Sequence, residues 1–283
     1  MSAISGIDHI VIAVTDLDRA QRAYERLGFT LSPRARHSAV MGTANHTIML
    51  QRDYFELLAV LTPTERNQRW RDALAGGEGI AGLALAPASA AAAKQAWQEQ
   101  GFAPGELVSF SRPVDRPDGS RMEARFEIVT LPKGSVPGAS VFACDQLTRD
   151  AVWLPELMRH ANTATAIRRL VVTLPDLAAA KAVWLRALPG ATATPIADGV
   201  RLRLGSHAVD LLKPAAARRY GLAPSSRPKA IAIEFAVEQV AQCRAVLIGN
   251  GVAAWALGDR TAVSAADAAG AAILFAPTES PLD

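Results

Sequence analysis

Cysteine is almost missing from these 283 residues: Cys144 and Cys243 stand far apart and outside any C-x-x-C pair. That excludes a disulfide scaffold and a cysteine-built zinc site, and leaves both thiols as small core residues. Long apolar runs are missing too, since none approaches the roughly 18 residues of a membrane span. The opening Met1-Ser2-Ala3-Ile4-Ser5-Gly6 has no basic segment, apolar core or small-residue cleavage site of the kind a secretory leader carries. A cytoplasmic protein without a membrane partner is expected. Charge of one sign is equally scarce: 30 basic and 27 acidic residues leave a formal +3. With no run of five or six basics, a nucleic-acid partner is not expected. Aromatics make up 6% of the chain, and Trp70, Trp97, Trp153, Trp184 and Trp255 follow no regular interval. They suit packing better than a stacking platform. Phosphate-binding glycine loops, a serine elbow and an H-E-x-x-H helix are all absent, which removes support from the classes built on them.

What is present is a unit written four times. Ile10 to Val14 reads as an aliphatic strand closed by Thr15 as N-cap. Leu17, Ala20, Tyr24 and Leu27 then follow at helical spacing, and Gly28 ends the helix. Three strands complete the unit at Phe29-Thr30-Leu31, Thr47 to Leu50 and Tyr54 to Val60. The order recurs from Gly82, with a helix over Ser89 to Gln100, the stop Gly101-Phe102, and strands at Leu107 to Phe110, Glu123 to Thr130 and Ser140 to Cys144. A third copy starts at Leu170, where Asp176-Leu177 matches Asp16-Leu17 at an offset of 160 (176 − 16), and its helix runs to Gly190. A fourth begins at Ala230, has its helix over Gln239 to Ile248, and closes with Ala272 to Ala276.

One copy cannot bury both faces of its own sheet, so copies should pair. The predicted class is α+β: four βαβββ modules (7–61, 79–147, 166–214 and 228–278) paired into two curved mixed sheets. The domains would be 1–147 and 166–283, joined by 148–165, where Trp153, Leu154, Leu157 and Met158 can form one face of a short packed helix.

The stretches "DHIVIAVTDLDRAQRAYERLGFTLSPRARH", "GTANHTIML", "YFELLAV" and "FACDQLTRDAVWLPE" make the first half resemble the vicinal oxygen chelate superfamily, which holds the glyoxalase, bleomycin-resistance and extradiol dioxygenase proteins. More narrowly, the chain is similar to its glyoxalase-like two-domain members; the second half joins by topology and by "RRLVVTLPDLAAAKAVW". The resemblance implies a cup with a divalent metal held from the first and last strands of two modules. Carried over, its ligands fall on His9, Glu56 and Asp145 or Gln146, of which Gln146 stands where relatives commonly have histidine, while the fourth corner, Gly82, offers no side chain. One imidazole, one carboxylate and one amide oxygen suit zinc, manganese, iron(II) or nickel with water completing the shell. The alternative for His9 is a core histidine, and for Glu56 a carboxylate paired with Arg34, Arg36 or Arg121. In the second half the matching positions are Arg169 and Asp210, with Ala230 and Ala272 beside them, an ion pair that ligates no cation. That half is expected to be structural.

Between the second and third strands, Arg34, Arg36 and Asn45 could hold a substrate carboxylate, and His37 or His46 could move a proton near neutral pH. The alternative is a solvated hairpin turning at Gly42. Tyr54 shares a sheet face with Glu56, while Phe55 points the other way. Tyr54 therefore joins His37 and His46 as a catalytic candidate, with a core-edge tyrosine as the alternative. Arg112, Asp115, Arg116 and Asp118-Gly119 read as a hairpin tip, solvated or closing over the cup. The leading expectation is a metal-dependent lyase, isomerase or dioxygenase acting on a small oxygen-rich molecule, in a possible homodimer. Its competitors are a non-catalytic binding protein of the bleomycin-resistance type and a silent paralogue serving assembly.

Overall fold

The computed structural model describes residues 2–115 and 120–279, so Arg116 and Asp118-Gly119 lie outside the described residues. The first module is β1 (Ile4–Val14), α1 (Leu17–Arg26), β2 (Ala35–Arg36), β3 (Thr43–Met49) and β4 (Tyr54–Val60). After the short α2 (Gln68–Leu74) comes the second: β5 (Gly79–Pro87), α3 (Ala90–Glu99), β6 (Val108–Asp115), β7 (Arg121–Thr130) and β8 (Ser140–Gln146). The third is β9 (Ala164–Thr173), α4 (Leu177–Ala187), β10 (Thr192–Ile196), β11 (Gly199–Leu204) and β12 (His207–Leu212). The fourth is β13 (Lys229–Val237), α5 (Val240–Gly249), β14 (Ala254–Leu257), β15 (Arg260–Val263) and β16 (Ala272–Pro277).

Pairing of modules gives two eight-stranded sheets in one topology, β2-β3-β4-β1-β5-β8-β7-β6 and β10-β11-β12-β9-β13-β16-β15-β14. In each, the opening strands of the two modules meet antiparallel at the centre, β1 on β5 and β9 on β13. The closing strand of the odd module then lies parallel to its opening strand, β4 on β1 and β12 on β9. The chain is thus α+β with two curved mixed sheets, as its repeats predict.

Local chemistry explains where the elements stop. Asp16, not Thr15, caps α1 by accepting the Arg19 N–H, and Asp176 does the same for α4 through Ala179. Three helices end alike: past α1 the N–H of Gly28 bonds the Glu25 carbonyl and that of Phe29 the Tyr24 carbonyl, and the pattern repeats at Gly101-Phe102 and Gly251-Val252. This double closure needs a left-handed residue, and the three glycines sit at φ of +84°, +76° and +66°. Phe29-Thr30-Leu31 forms no strand. Phe29 instead packs against Phe55 and Phe235, so tertiary burial overrides its β propensity.

The helices and the convex faces of both sheets share a single core, in which Ile10, Phe55, Trp97, Trp184 and Phe275 are fully buried. Burying each such side chain contributes about 1.5–3 kcal/mol. The two indoles satisfy their N–H groups across the halves, Trp97 donating to the Ala187 carbonyl at 2.9 Å and Trp184 to the Pro137 carbonyl at 3.1 Å. Residues 148–165 make two short 3-10 turns, Arg149–Ala151 and Pro155–Met158, rather than a helix face. Trp153 and His160 anchor them to the carbonyls of Leu50 and Met49. Among the described residues no helix is long and apolar enough to cross a membrane. The opposite face of each sheet is concave and turned away from the shared core, with an apolar cluster of its own.

Candidate functional site

On the concave face of the first sheet, β1 and β4 carry the polar centre. Strand alternation aims Tyr54, Glu56 and Leu58 into the hollow and sends Phe55 to the core behind. Asp8 and His9 are neighbours, yet both reach the same side because the β1–β5 register shifts between Ile7 and His9. A bulge of this kind re-aims a side chain at the expense of one ladder position.

The His9 ring is clamped on every side. Its Nδ1 lies 2.6 Å from Asp8 Oδ2, Tyr54 stacks on it at 4.3 Å between centroids, and Phe142 meets it edge-on at 5.4 Å. Because a carboxylate only accepts, Nδ1 donates to Asp8, which turns Nε2 toward Glu56, whose Oε1 is 3.9 Å away. The other Glu56 oxygen accepts from Asn45 Nδ2, which fixes the carboxylate in turn. Two buried amide oxygens, Asn45 Oδ1 and Gln146 Oε1, have no hydrogen-bond partner. Gln146 donates through Nε2 to Asp8 Oδ2 at 3.0 Å.

Burial sets the electrostatics around this centre. It pushes the Tyr54 phenol well above its usual range, with the charges of Asp8 and Glu56 adding to the rise. The Cys144 thiol is pushed up for the same reason, with Asp8 and Glu56 contributing, so sulfur enters as SH. His37, bonded through Nδ1 to the Thr43 hydroxyl at 2.7 Å, is lowered by burial and therefore neutral at pH 7. Two guanidiniums also line the hollow, Arg69 over the Trp70 ring and Arg112 over Phe126.

The structure brings together His9, Glu56, Tyr54, Asn45 and His37, and leaves Gln146 at the edge, bonded to Asp8. It separates the rest. His46 alternates with Asn45 and Thr47 and so faces away, its Nδ1 against the Ser32 carbonyl at 2.8 Å. Arg34 is paired with Asp18 on α1, and Arg36 is exposed. Asp145 points to the helix side, accepting from the Ala90 N–H at 3.3 Å, which leaves Gln146 as the residue of that pair on the concave face. Opposite His9 in the β1–β5 ladder stands Ala84, with Gly82 opposite Val11, so neither offers a donor. Gly82 has a separate reason to be glycine: a Cβ there would lie 2.8 Å from the Trp70 ring.

The alphabet of the sequence missed Asp8, Arg69 and Trp70, and placed Arg112 at a hairpin tip. The bulge that turns Asp8 inward leaves no mark in the sequence. For Arg112 a signal existed, its alternation with Phe110 and Val114 along β6.

A donor set for a divalent cation is present on two sides of His9. Asp8, His9 and Cys144 offer ligand atoms within 4.8 Å of one another. In that set the Asp8–His9 hydrogen bond is already closed and the thiol is held protonated. On the other side, His9 Nε2 and Glu56 Oε1 are slightly wider apart than the roughly 3.0–3.4 Å expected of neighbouring ligands on one ion. With an orphaned amide oxygen in reach of the same hollow, the residues fit a mixed nitrogen and oxygen site.

A family model described as a glyoxalase-like domain matches residues 7–188. No curated protein matches the chain in sequence. Among solved structures, a hypothetical protein from Staphylococcus aureus superposes with a TM-score of 0.68 at 12% identity, over 96% of this chain and 98% of that one. A fusion of a xylose isomerase-like TIM barrel with 4-hydroxyphenylpyruvate dioxygenase gives 0.66 at 13% identity, over 100% of this chain and 50% of that one. A triple mutant of 4-hydroxymandelate synthase from Streptomyces coelicolor gives 0.59 at 14% identity, over 91% and 78%. At such identities the likeness is one of fold, the paired-module fold of the vicinal oxygen chelate proteins.

Proposed function

The chain belongs to the glyoxalase-like domain family, and on that premise we propose that its first hollow is the active site of a metal-dependent enzyme acting on a small oxygen-rich molecule, by lyase, isomerase or dioxygenase chemistry. The observation that carries this reading is the approach of His9 Nε2 to Glu56 Oε1 inside a water-poor, aromatic-lined hollow. His9 and Glu56 would hold the cation, with Asn45 Oδ1 or Gln146 Oε1 as an added oxygen. When bound, a zinc, manganese, iron(II) or nickel ion supplies Lewis acidity toward the oxygens of the substrate.

The protein side of the chemistry follows from the contacts. Asp8 fixes the His9 tautomer and Asn45 the Glu56 rotamer, an outer layer of the sort that typically governs metal affinity by about 10–100-fold. Arg69 and Arg112, each set against an aromatic face, supply cations for an ionised end of the substrate. Neutral His37, near the mouth, is the group able to accept a proton. The free space between the side chains is ≈ 80 Å³, which favours a ligand of few heavy atoms.

One observation favours the second reading, a protein that binds and sequesters without turnover: at Gly82 and Ala84 the opposite module contributes no ligand. Elemental analysis of the full chain, alone and after incubation with each of the four ions, separates the two readings. The enzyme reading requires near-stoichiometric metal that falls by more than about tenfold in both His9→Ala and Glu56→Gln. Metal-free protein under all conditions would leave the sequestering protein.

A further inference from the structure

We infer that the concave face of the second sheet is a separate binding site for a small oxyanion, a carboxylate or a phosphate. The site occupies the place in the second sheet that the His9–Glu56 centre holds in the first. Arg169 replaces His9, and Asp210 stands beside Val171 as Glu56 stands beside Val11. Opposite Arg169, where the first sheet has Ala84, is Glu234 rather than the expected Ala230. The Arg169 guanidinium donates to both carboxylates, so a cation covalently attached to the chain sits between them. This centre has no use for a metal.

The hydrogen-bond inventory then fails to close. Arg201 spends Nε and Nη2 on the two oxygens of Asp210 at 2.7 and 2.9 Å, and Arg260 spends Nε on Glu234 at 2.6 Å. Asp210 accepts three N–H groups and is nearly saturated. Four guanidiniums, those of Arg168, Arg169, Arg201 and Arg260, meet the carboxylates of Asp210, Glu234 and Asp259 here. Two donors of this set, Arg169 Nε and Arg201 Nη1, are buried with no hydrogen-bond partner among the described residues, as is one acceptor, Glu234 Oε1, which lies 3.5 Å from Arg168 Nε. Arg169 and Arg201 line the cavity beside this centre and Glu234 does not, so on the cavity side it is donors that are left over.

Room for such a ligand exists. A cavity of ≈ 440 Å³ is lined by Arg169, Arg201, Arg219 and Arg260, with Asp210 as its one lining carboxylate. At the mouth Arg219 pairs with Asp198, and Arg260 with Asp259 as well as Glu234. Both side chains are partly exposed, so their guanidiniums can turn onto an incoming anion, bidentately if it is planar. A network that only tied strands together would have no reason to line an open cavity with four guanidiniums.

Isothermal titration of the full chain with sodium phosphate, and separately with sodium acetate, in low-salt chloride buffer tests this. The expected result is a dissociation constant in the millimolar range or below for at least one anion. Both Arg219→Gln and Arg260→Gln should weaken it by about tenfold, while Glu56→Gln in the first hollow leaves it unchanged. Response to phosphate alone assigns a phosphate ligand, response to acetate alone a carboxylate, and response to both a general oxyanion site. No binding of either anion, binding indifferent to both arginine substitutions, or binding lost in Glu56→Gln overturns the inference. Circular dichroism of each variant guards against misfolding, and Arg219, 43% exposed, is the substitution the fold tolerates best.

Discussion

The two concave faces use the same strands in the same register and hold opposite chemistry. The first has an imidazole, a carboxylate and a narrow aromatic-lined space; the second has a cluster of arginines on two buried carboxylates and a cavity several times larger. In the first the centre is a ring nitrogen and an acid aimed at each other, a pair that a cation would complete. In the second the cation is built in. The lesson is that paired βαβββ modules fix positions and leave their content free, since the backbone hydrogen bonds that set the register do not involve the side chains on the concave face.

The comparison breaks most sharply on removal of a buried acid. Glu234 is fully buried and faces Arg168, Arg169 and Arg260, so Glu234→Ala leaves guanidiniums uncompensated and should cost about 3–5 kcal/mol of unfolding free energy. Glu56→Ala, which gives up chiefly the Asn45 contact, should cost about 1 kcal/mol. Equal losses in urea titrations of the two variants would show that the acids play the same part.

Acid sharpens the contrast next. His160 accepts the Thr30 N–H at Nδ1 and donates from Nε2 to the Met49 carbonyl, so it is bound as the neutral ring; burial pushes its pKa down from 6.5 to about 4. Between those values the unfolded chain takes up a proton that the folded chain refuses, so stability is whole above about pH 6.5 and falls toward pH 4. Hydrogen exchange at pH 5 against pH 7 should therefore show the first sheet, around β3 and the 148–165 segment, loosening ahead of the second. His160→Gln should flatten the pH dependence; an unaltered profile in that variant contradicts the assignment.

The smallest effect probes where the halves agree. Asp16→Ala and Asp176→Ala each remove a cap from a matching helix and should each lower the thermal midpoint by a similar small amount. Costs that differ by more than about twofold would mean that the caps are not equivalent parts of one repeat.

Much of this was legible beforehand, and for identifiable reasons. The offset joining Asp16-Leu17 to Asp176-Leu177 marked the repeat, although Thr15 was the expected cap of the first helix, and the Gly-Phe stops marked two of the three matching helix closures, because left-handed turns depend on residues a few positions apart. The pairing of His9 with Glu56 was implied by the family resemblance, and face alternation added Tyr54 beside Glu56. His46 is not separable from His37 in the sequence, because the apolar run that marks this strand starts only at Thr47, whereas β3 itself begins at Thr43 and takes in His46. Glu234 was missed because the β9–β13 ladder carries register shifts on either side of it, and counting from Ala230 gives the wrong partner for Arg169.

By itself, then, the amino-acid order determined four strand-helix-strand units, the approximate extent of their helices, and which residues of each strand share a face. All of these are set by interactions among near neighbours and by the period of two. Which acid meets which base was decided only by tertiary structure, through a bulge at Asp8, register shifts in β13 and the seating of α2 over Gly82. Such contacts join residues tens of positions apart, and a one-residue slip in a ladder turns every side chain to the other face.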